Sequence, residues 1–318
     1  MSTPVFALPA PHRAHARGPL TAALVALIAV ACTSPASTPT ATQTPGSSPS
    51  AAPSSSAEPS MTGAIEHKTG ATDVVLRVES GGGFVPIDFL ATQAPTFTLY
   101  GNGVIVFQPR VETFPQPDAS GATKGVPWRT ATLDESQIQQ LLEFALGAGG
   151  LGAARESYVD DTIADAPNTI FTIHAGGIDK TVTVNALSEA PPAGADAPAR
   201  AAFFKLASRL QDFDDGGRIP SDVYRPTRFR GVLIEREAQP GISPLAWPWP
   251  SIPFAEFKAG PQDGSGPTTF PHRTLTFEEA AALPLDGIEG GVQGLPLKAA
   301  NDKIYGLVLR PLLAEETE

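Results

Sequence analysis

Thr96-Phe97-Thr98-Leu99-Tyr100-Gly101-Asn102-Gly103-Val104-Ile105-Val106-Phe107 is the stretch on which the fold turns. Two runs rich in aromatic and β-branched residues flank Gly-Asn-Gly, a turn able to supply the positive φ angles of a tight hairpin. The reading is an antiparallel pair. Upstream, residues 73–78 give a strand that stops at Ser80-Gly81-Gly82-Gly83. Downstream, residues 169–174 against 180–187, joined around Gly176-Gly177, give a second hairpin, and residues 229–235 give a further strand. A short strand near 273–275 and a last hairpin from about 291 to 309 complete the set.

The period changes between these strands. Ile138, Leu141, Leu142, Ala145 and Leu146 fall on one face of a helix, with Thr132 and Glu135 as a capping box and Gly147, Gly149 and Gly150 as its end. Asp196-Ala197-Pro198 opens a second helix whose buried stripe is Ala202, Phe203, Leu206, Leu210 and Phe213. Thr276 and Glu279 cap a third over residues 277–283. Hairpins separated by two or three amphipathic helices predict an α+β fold with mainly antiparallel strands. Asp212 to Pro220 combines charge, paired glycine and proline, which divides the folded part into 63–217 and 222–318. Each half contains a strand, a capped helix and a hairpin, so an internal duplication is an expectation to be tested by strand order.

The amino-terminal 62 residues are of another kind. Arg13 and Arg17 without an acid precede twelve residues, 20–31, that are apolar except for Thr21, the pattern of an export signal too short to remain as a membrane span. The run ends Ala29-Val30-Ala31-Cys32, and Cys32 is the single cysteine of the chain. This ending resembles the lipobox of bacterial lipoproteins, which implies cleavage of 1–31 and acylation of Cys32. It departs from that pattern in having Ala29 where leucine is usual, and ordinary secretion with a cut near Ala31 is the alternative. Residues 32–62, built from Ser, Thr, Pro and Ala with Glu58 as their one charge, form a disordered tether spanning about 30 Å as a flexible coil. The tether reads either as a passive spacer or as a stalk carrying O-linked sugar.

The strand with Gly81-Gly82-Gly83-Phe84-Val85-Pro86, the run from Pro95 to Gly103, the 169–187 hairpin and the ending Tyr305-Gly306-Leu307-Val308-Leu309-Arg310-Pro311-Leu312-Leu313 resemble a group of uncharacterised lipoproteins of high-GC bacteria. An aspartate often stands in that group where this chain has Asn102. The resemblance implies location and domain outline, and no activity.

With 33 acids against 22 bases the net charge is −11, and removal of Arg13 and Arg17 with the signal takes it to −13. Such a surface lacks the cations that nucleic acid and anionic headgroups require. A lone cysteine permits no internal disulfide. His67, His174 and His272 show no zinc-ligand spacing, no serine lies in a Gly-x-Ser-x-Gly elbow, and Gly81-Gly82-Gly83 lacks the dinucleotide fingerprint, so no cofactor is expected.

Two acidic loops, Asp160-Asp161-Asp165 and Asp212-Asp214-Asp215, read as solvated turns, with calcium as the alternative. Trp247 and Trp249, held in Trp-Pro-Trp-Pro, are the ligand-binding candidates, suited to stacking on sugar rings or an extended peptide; the other reading packs both indoles over the core.

The leading functional expectation is a lipid-anchored, non-enzymatic binding module on the outer (extracytoplasmic) face of the cell membrane, with an envelope glycan or protein as partner. The competing ones are an envelope hydrolase using paired carboxylates from Glu156, Asp160, Asp161 and Asp165, and a purely structural cell-wall protein.

Overall fold

The computed structural model describes residues 63–259 and 270–317, so the signal segment 1–31, Cys32 and the tether 32–62 lie outside the described residues. The described residues belong to one compact unit. In chain order it runs β1 (Val74–Gly81), α1 (Ile87–Thr92), β2 (Phe97–Tyr100), β3 (Val104–Phe107), β4 (Thr123–Lys124), β5 (Arg129–Thr132), α2 (Glu135–Leu146), β6 (Ser157–Tyr158), β7 (Asn168–Ala175), β8 (Ile178–Asn185) and α3 (Ala197–Gln211). It continues with β9 (Asp222–Val223), β10 (Arg228–Arg236), β11 (Leu245–Ala246), β12 (His272–Thr276), α4 (Phe277–Ala281), β13 (Val292–Lys298) and β14 (Ile304–Pro311). The class is α+β, with two largely antiparallel sheets.

The first sheet has the order β6-β8-β7-β1-β2-β3-β5-β9 and the second β11-β13-β14-β10-β12, with β4 added to β13. The founding hairpin pairs Phe97 with Phe107, Thr98 with Val106 and Leu99 with Ile105. Of its turn glycines only Gly103 takes a positive φ, +83°; Gly101 is required for space, since a Cβ there would lie 2.2 Å from the Lys68 carbonyl oxygen. Phe97 and Leu99 then face one side of the sheet, joined by Ile105, Phe107, Phe171, Ile173, Val182 and Val184. Helices α2 and α3 cover that side through Ile138, Leu141, Leu142, Phe203, Leu206 and Leu210. At the centre the Phe203 ring meets Tyr158 edge-on at 4.9 Å.

Two local expectations need correction. The cap of α2 is not Thr132 with Glu135. Thr132 remains in β5, opposite Val104, so the helix begins two residues later, where Asp134 accepts from the Gln137 N–H at 2.9 Å and Gln137 reaches back to the Asp134 N–H. The duplication also fails on strand order. In the first sheet β7 lies inside its hairpin, with β1, β2 and β3 between it and β5; in the second the later strand β14 lies inside, and only β10 separates it from β12. The Thr276–Glu279 capping box of α4 is present, and Arg273 adds two bonds of 3.0 Å to Glu279, holding that carboxyl below its usual range.

The chain passes between the sheets on both sides of the 212–220 segment. β4, which precedes it, pairs with β13, and β9, which follows it, pairs with β5. One side of the second sheet holds Phe229, Leu233, Leu295, Leu297, Leu307 and Leu309, covered by α4 and the Trp-Pro segment. On its other side Val232, Ile234 and Val308 pack with Ala91 of α1. The remaining side of the first sheet, with Tyr100, Val106 and nearby Trp128, packs on Leu313 of the carboxy-terminal tail.

Candidate functional site: a cleft between the two sheets

Strand alternation places the even residues of β14, Gly306, Val308 and Arg310, on the side away from the Leu307–Leu309 core. Thr96, Gln108 and Trp128 come from the ends of β2, β3 and β5 in the first sheet. Val292, Gln293 and Arg310 come from β13 and β14. Together they line a cleft of about 430 Å³, a size that suits a drug-like ligand. Helix α1 contributes Phe89 and Thr92, the residue after it Gln93, and the 109–115 loop Val111 and Phe114.

The walls are fixed by polar contacts. Gln108 Nε2 donates to the Pro95 carbonyl at 3.1 Å, and Gln293 Nε2 donates to Thr92 Oγ1 at 3.4 Å, tying α1 to the second sheet. Trp128 stacks on Tyr224, with ring centroids 6.1 Å apart, and Tyr224 donates to the Leu312 carbonyl at 2.8 Å.

The mouth carries unusual apolar exposure. Phe114 is 70% exposed and Phe89 about half, and Phe84, between the lining residues Gly82 and Val85, is 93% exposed. Exposed aromatics gathered at a concave apolar surface mark binding sites more often than scattered ones do.

Behind the cleft the tail 312–317 ties the two sheets together. Glu315 takes bonds from Arg77 and from Tyr100 Oη (2.5 Å) on the first sheet. Glu316 takes Arg310 Nη1 (3.0 Å), Arg310 Nη2 (2.8 Å) and the Leu313 N–H (2.7 Å). Burial pushes the Tyr100 phenol well above its ordinary value, so Tyr100 serves as a donor here.

The residues singled out from the sequence lie elsewhere. Trp249 is 3% exposed and donates to the Glu279 carbonyl at 2.7 Å, while Trp247 is half-buried and donates to the Ile252 carbonyl at 2.7 Å. The two indoles meet edge-on at 5.3 Å and both pack against Phe257. This corrects the stacking expectation: the large apolar area of each ring lies against the second core, and both N–H groups are already bonded within the protein.

Asp160 accepts from the Thr162 hydroxyl (2.6 Å) and N–H (3.0 Å), which hold its carboxyl below the usual range, as in an ordinary Asx turn. None of Glu156, Asp160, Asp161 and Asp165 lines the cleft. Asp214 accepts from Ser221 at 3.1 Å. His67 faces Glu135, His174 faces Asp179, and His272 bonds the Phe270 carbonyl. Among the described residues no group of three or more His, Cys, Asp or Glu is placed to hold a metal, and no helix is long and apolar enough to cross a membrane.

Sequence reading missed Phe89, Phe114, Trp128 and Arg310. One signal was available: Arg310 interrupts the apolar run from Tyr305 to Leu313, and a charge inside a doubly covered strand calls for a partner. Comparison of the chain with protein-family models, with curated proteins and with solved structures finds no match.

Proposed function

We propose that the protein is held by an acylated Cys32 on the outer face of the cell membrane and acts as a non-enzymatic binding module, taking a small ligand in the cleft between its sheets. The observation that carries the binding reading is the cleft itself, apolar in its lining and rimmed by exposed Phe89 and Phe114. A carboxylate-pair hydrolase would need an acid at the concave site, and among the described residues no Asp or Glu lines this one. The anchor reading is supported by the apolar run ending at Cys32 and by the composition of residues 33–62.

The two halves of the proposal have separate tests. In a bacterial host that acylates lipoproteins, the chain should take up labelled palmitate and sediment with membranes. Cys32→Ser should abolish the label and release the protein; an unlabelled parent chain with its amino terminus intact refutes the anchor. For the cleft, Gln93→Trp places an indole against the lining from an exposed position that belongs to none of the cores. It should weaken binding of the neutral apolar fluorophore 1-aminoanthracene by at least about tenfold, while circular dichroism and the unfolding midpoint stay unchanged. Unaltered binding would move the site elsewhere.

A further inference from the structure

We infer, on the reading that the cleft is the ligand site, that its ligand is an uncharged and largely apolar small molecule, and that ions are turned away because the walls hold no counter-charge for them. Three observations lead there. First, the chain has 33 acids against 22 bases, yet among the described residues no Asp or Glu lines the cleft, and Arg310 is the one charged residue in its lining. A cation entering the cleft would give up its water and meet no carboxylate.

Second, Arg310 has no charge to spare for an anion. It is only 4% exposed, its Nε is closed off from solvent, and the Glu316 carboxylate takes Nη1 at 3.0 Å and Nη2 at 2.8 Å. A guanidinium paired end-on with a carboxylate carries no net charge, and the edge that a second carboxylate would use is already filled. An anionic ligand would have to displace Glu316 and leave that acid without its cation.

Third, the polar side chains of the lining are committed to the protein. Thr96 Oγ1 donates to the Val78 carbonyl at 3.1 Å and Gln108 Nε2 to the Pro95 carbonyl at 3.1 Å. Thr92 Oγ1 donates to the Phe89 carbonyl and accepts from Gln293 Nε2. Ser80 and Gln93 stand at exposed positions, where water serves them. Pro109, Pro115, Pro167 and Pro311 add wall without adding a backbone N–H. What such a cleft offers a ligand is apolar area, which a neutral molecule fills at no electrostatic cost.

The test uses the chain carrying Cys32→Ser, which leaves the described residues unchanged, at about 0.15 M salt, where exposed charges of the acidic surface are largely screened. Anthracenemethanol, anthracenecarboxylate and anthracenylmethylammonium, which share one ring system, are titrated as competitors of 1-aminoanthracene. The alcohol should bind at least about tenfold more tightly than either ion. Val111→Lys, at a half-buried lining position outside the cores, puts an unpaired cation in the wall and should bring the carboxylate at least level with the alcohol. If Val111→Lys does not fold, the ligand series on the parent chain decides alone. Equal affinity for the three ligands, or tighter binding of either ion, overturns the uncharged ligand and leaves the cleft as a ligand site. An unchanged order of affinities in folded Val111→Lys overturns exclusion by missing counter-charge. Absence of binding by all three with 1-aminoanthracene also excluded, or affinities that Gln93→Trp leaves untouched, overturns the cleft itself.

Discussion

Glu316→Ala is expected to lower the unfolding free energy by about 3–5 kcal/mol, the range for removing one partner of a buried ion pair. Arg310 is buried in β14, and both of its terminal nitrogens bind Glu316. Without that carboxylate a guanidinium is left in the interior with one bond, the long 3.5 Å contact to the Pro311 carbonyl. The same substitution removes the acceptor of the Leu313 N–H and so loosens Leu313 from Tyr100 and Trp128.

Urea unfolding measures the loss as a fall in midpoint at constant slope. The double variant Glu316→Ala/Arg310→Met should recover most of it, because a well-packed apolar pair is often no worse than the ion pair it replaces. A loss under about 1 kcal/mol in the single variant would show that the tail contributes no more than an exposed salt bridge does. Because Arg310 and Trp128 also line the cleft, the single variant should weaken 1-aminoanthracene binding, whereas the stabilised double variant should remain folded and recover it.

What the sequence made legible was whatever is encoded locally. The 97–107 and 168–185 hairpins follow from alternation around glycine turns, and α4 from Thr276 and Glu279, because each depends on residues a few positions apart. The α2 cap was displaced because Thr132 satisfies two patterns at once, and pairing with Val104 in the sheet outweighed the local cap. β4, β6, β9 and β11 are two-residue pairings too short to carry a period, and two of them, β6 and β11, pair in parallel with strands far away in sequence.

The cleft was illegible for the same reason. Its walls come from residues 80–128, from Pro167 and from residues 290–311, segments far apart in the chain. Trp247 and Trp249 misled because Pro-flanked aromatics suit either a stacking surface or a stiffened core segment, and composition alone does not separate the two. Arg200 marks a further limit. It lies in the buried stripe of α3 at 2% exposure, where it donates to the Asn185 carbonyl at 2.8 Å and so joins that helix to β8.

Gly291→Ala is the second substitution expected to have a large effect, a loss of about 3 kcal/mol or more. Gly291 adopts φ +84° and ψ −178°, a region open in practice only to glycine, and strain there is worth about 1–3 kcal/mol by itself. Space adds to the strain: a Cβ would lie 2.2 Å from the Leu309 carbonyl oxygen, so β14 must shift. The residue also accepts from the Gly125 N–H at 2.9 Å, and Gly290 and Gly125 approach so closely that a Cβ on either would meet the other's carbonyl oxygen. This contact holds the segment after β4 against the start of β13, beside the cleft wall formed by Gly290 and Val292.

Gly177→Ala separates the two causes. Gly177 has φ +72° in an exposed hairpin turn with nothing within 4 Å of a Cβ, so it bears the backbone strain without the collision and should cost only about 1 kcal/mol. Equal losses at the two positions, read from thermal and urea unfolding, would mean that the Gly125–Gly291 junction yields without cost. The larger loss at Gly291, accompanied by weaker 1-aminoanthracene binding, would show that the segment joining the two sheets also sets the shape of the cleft.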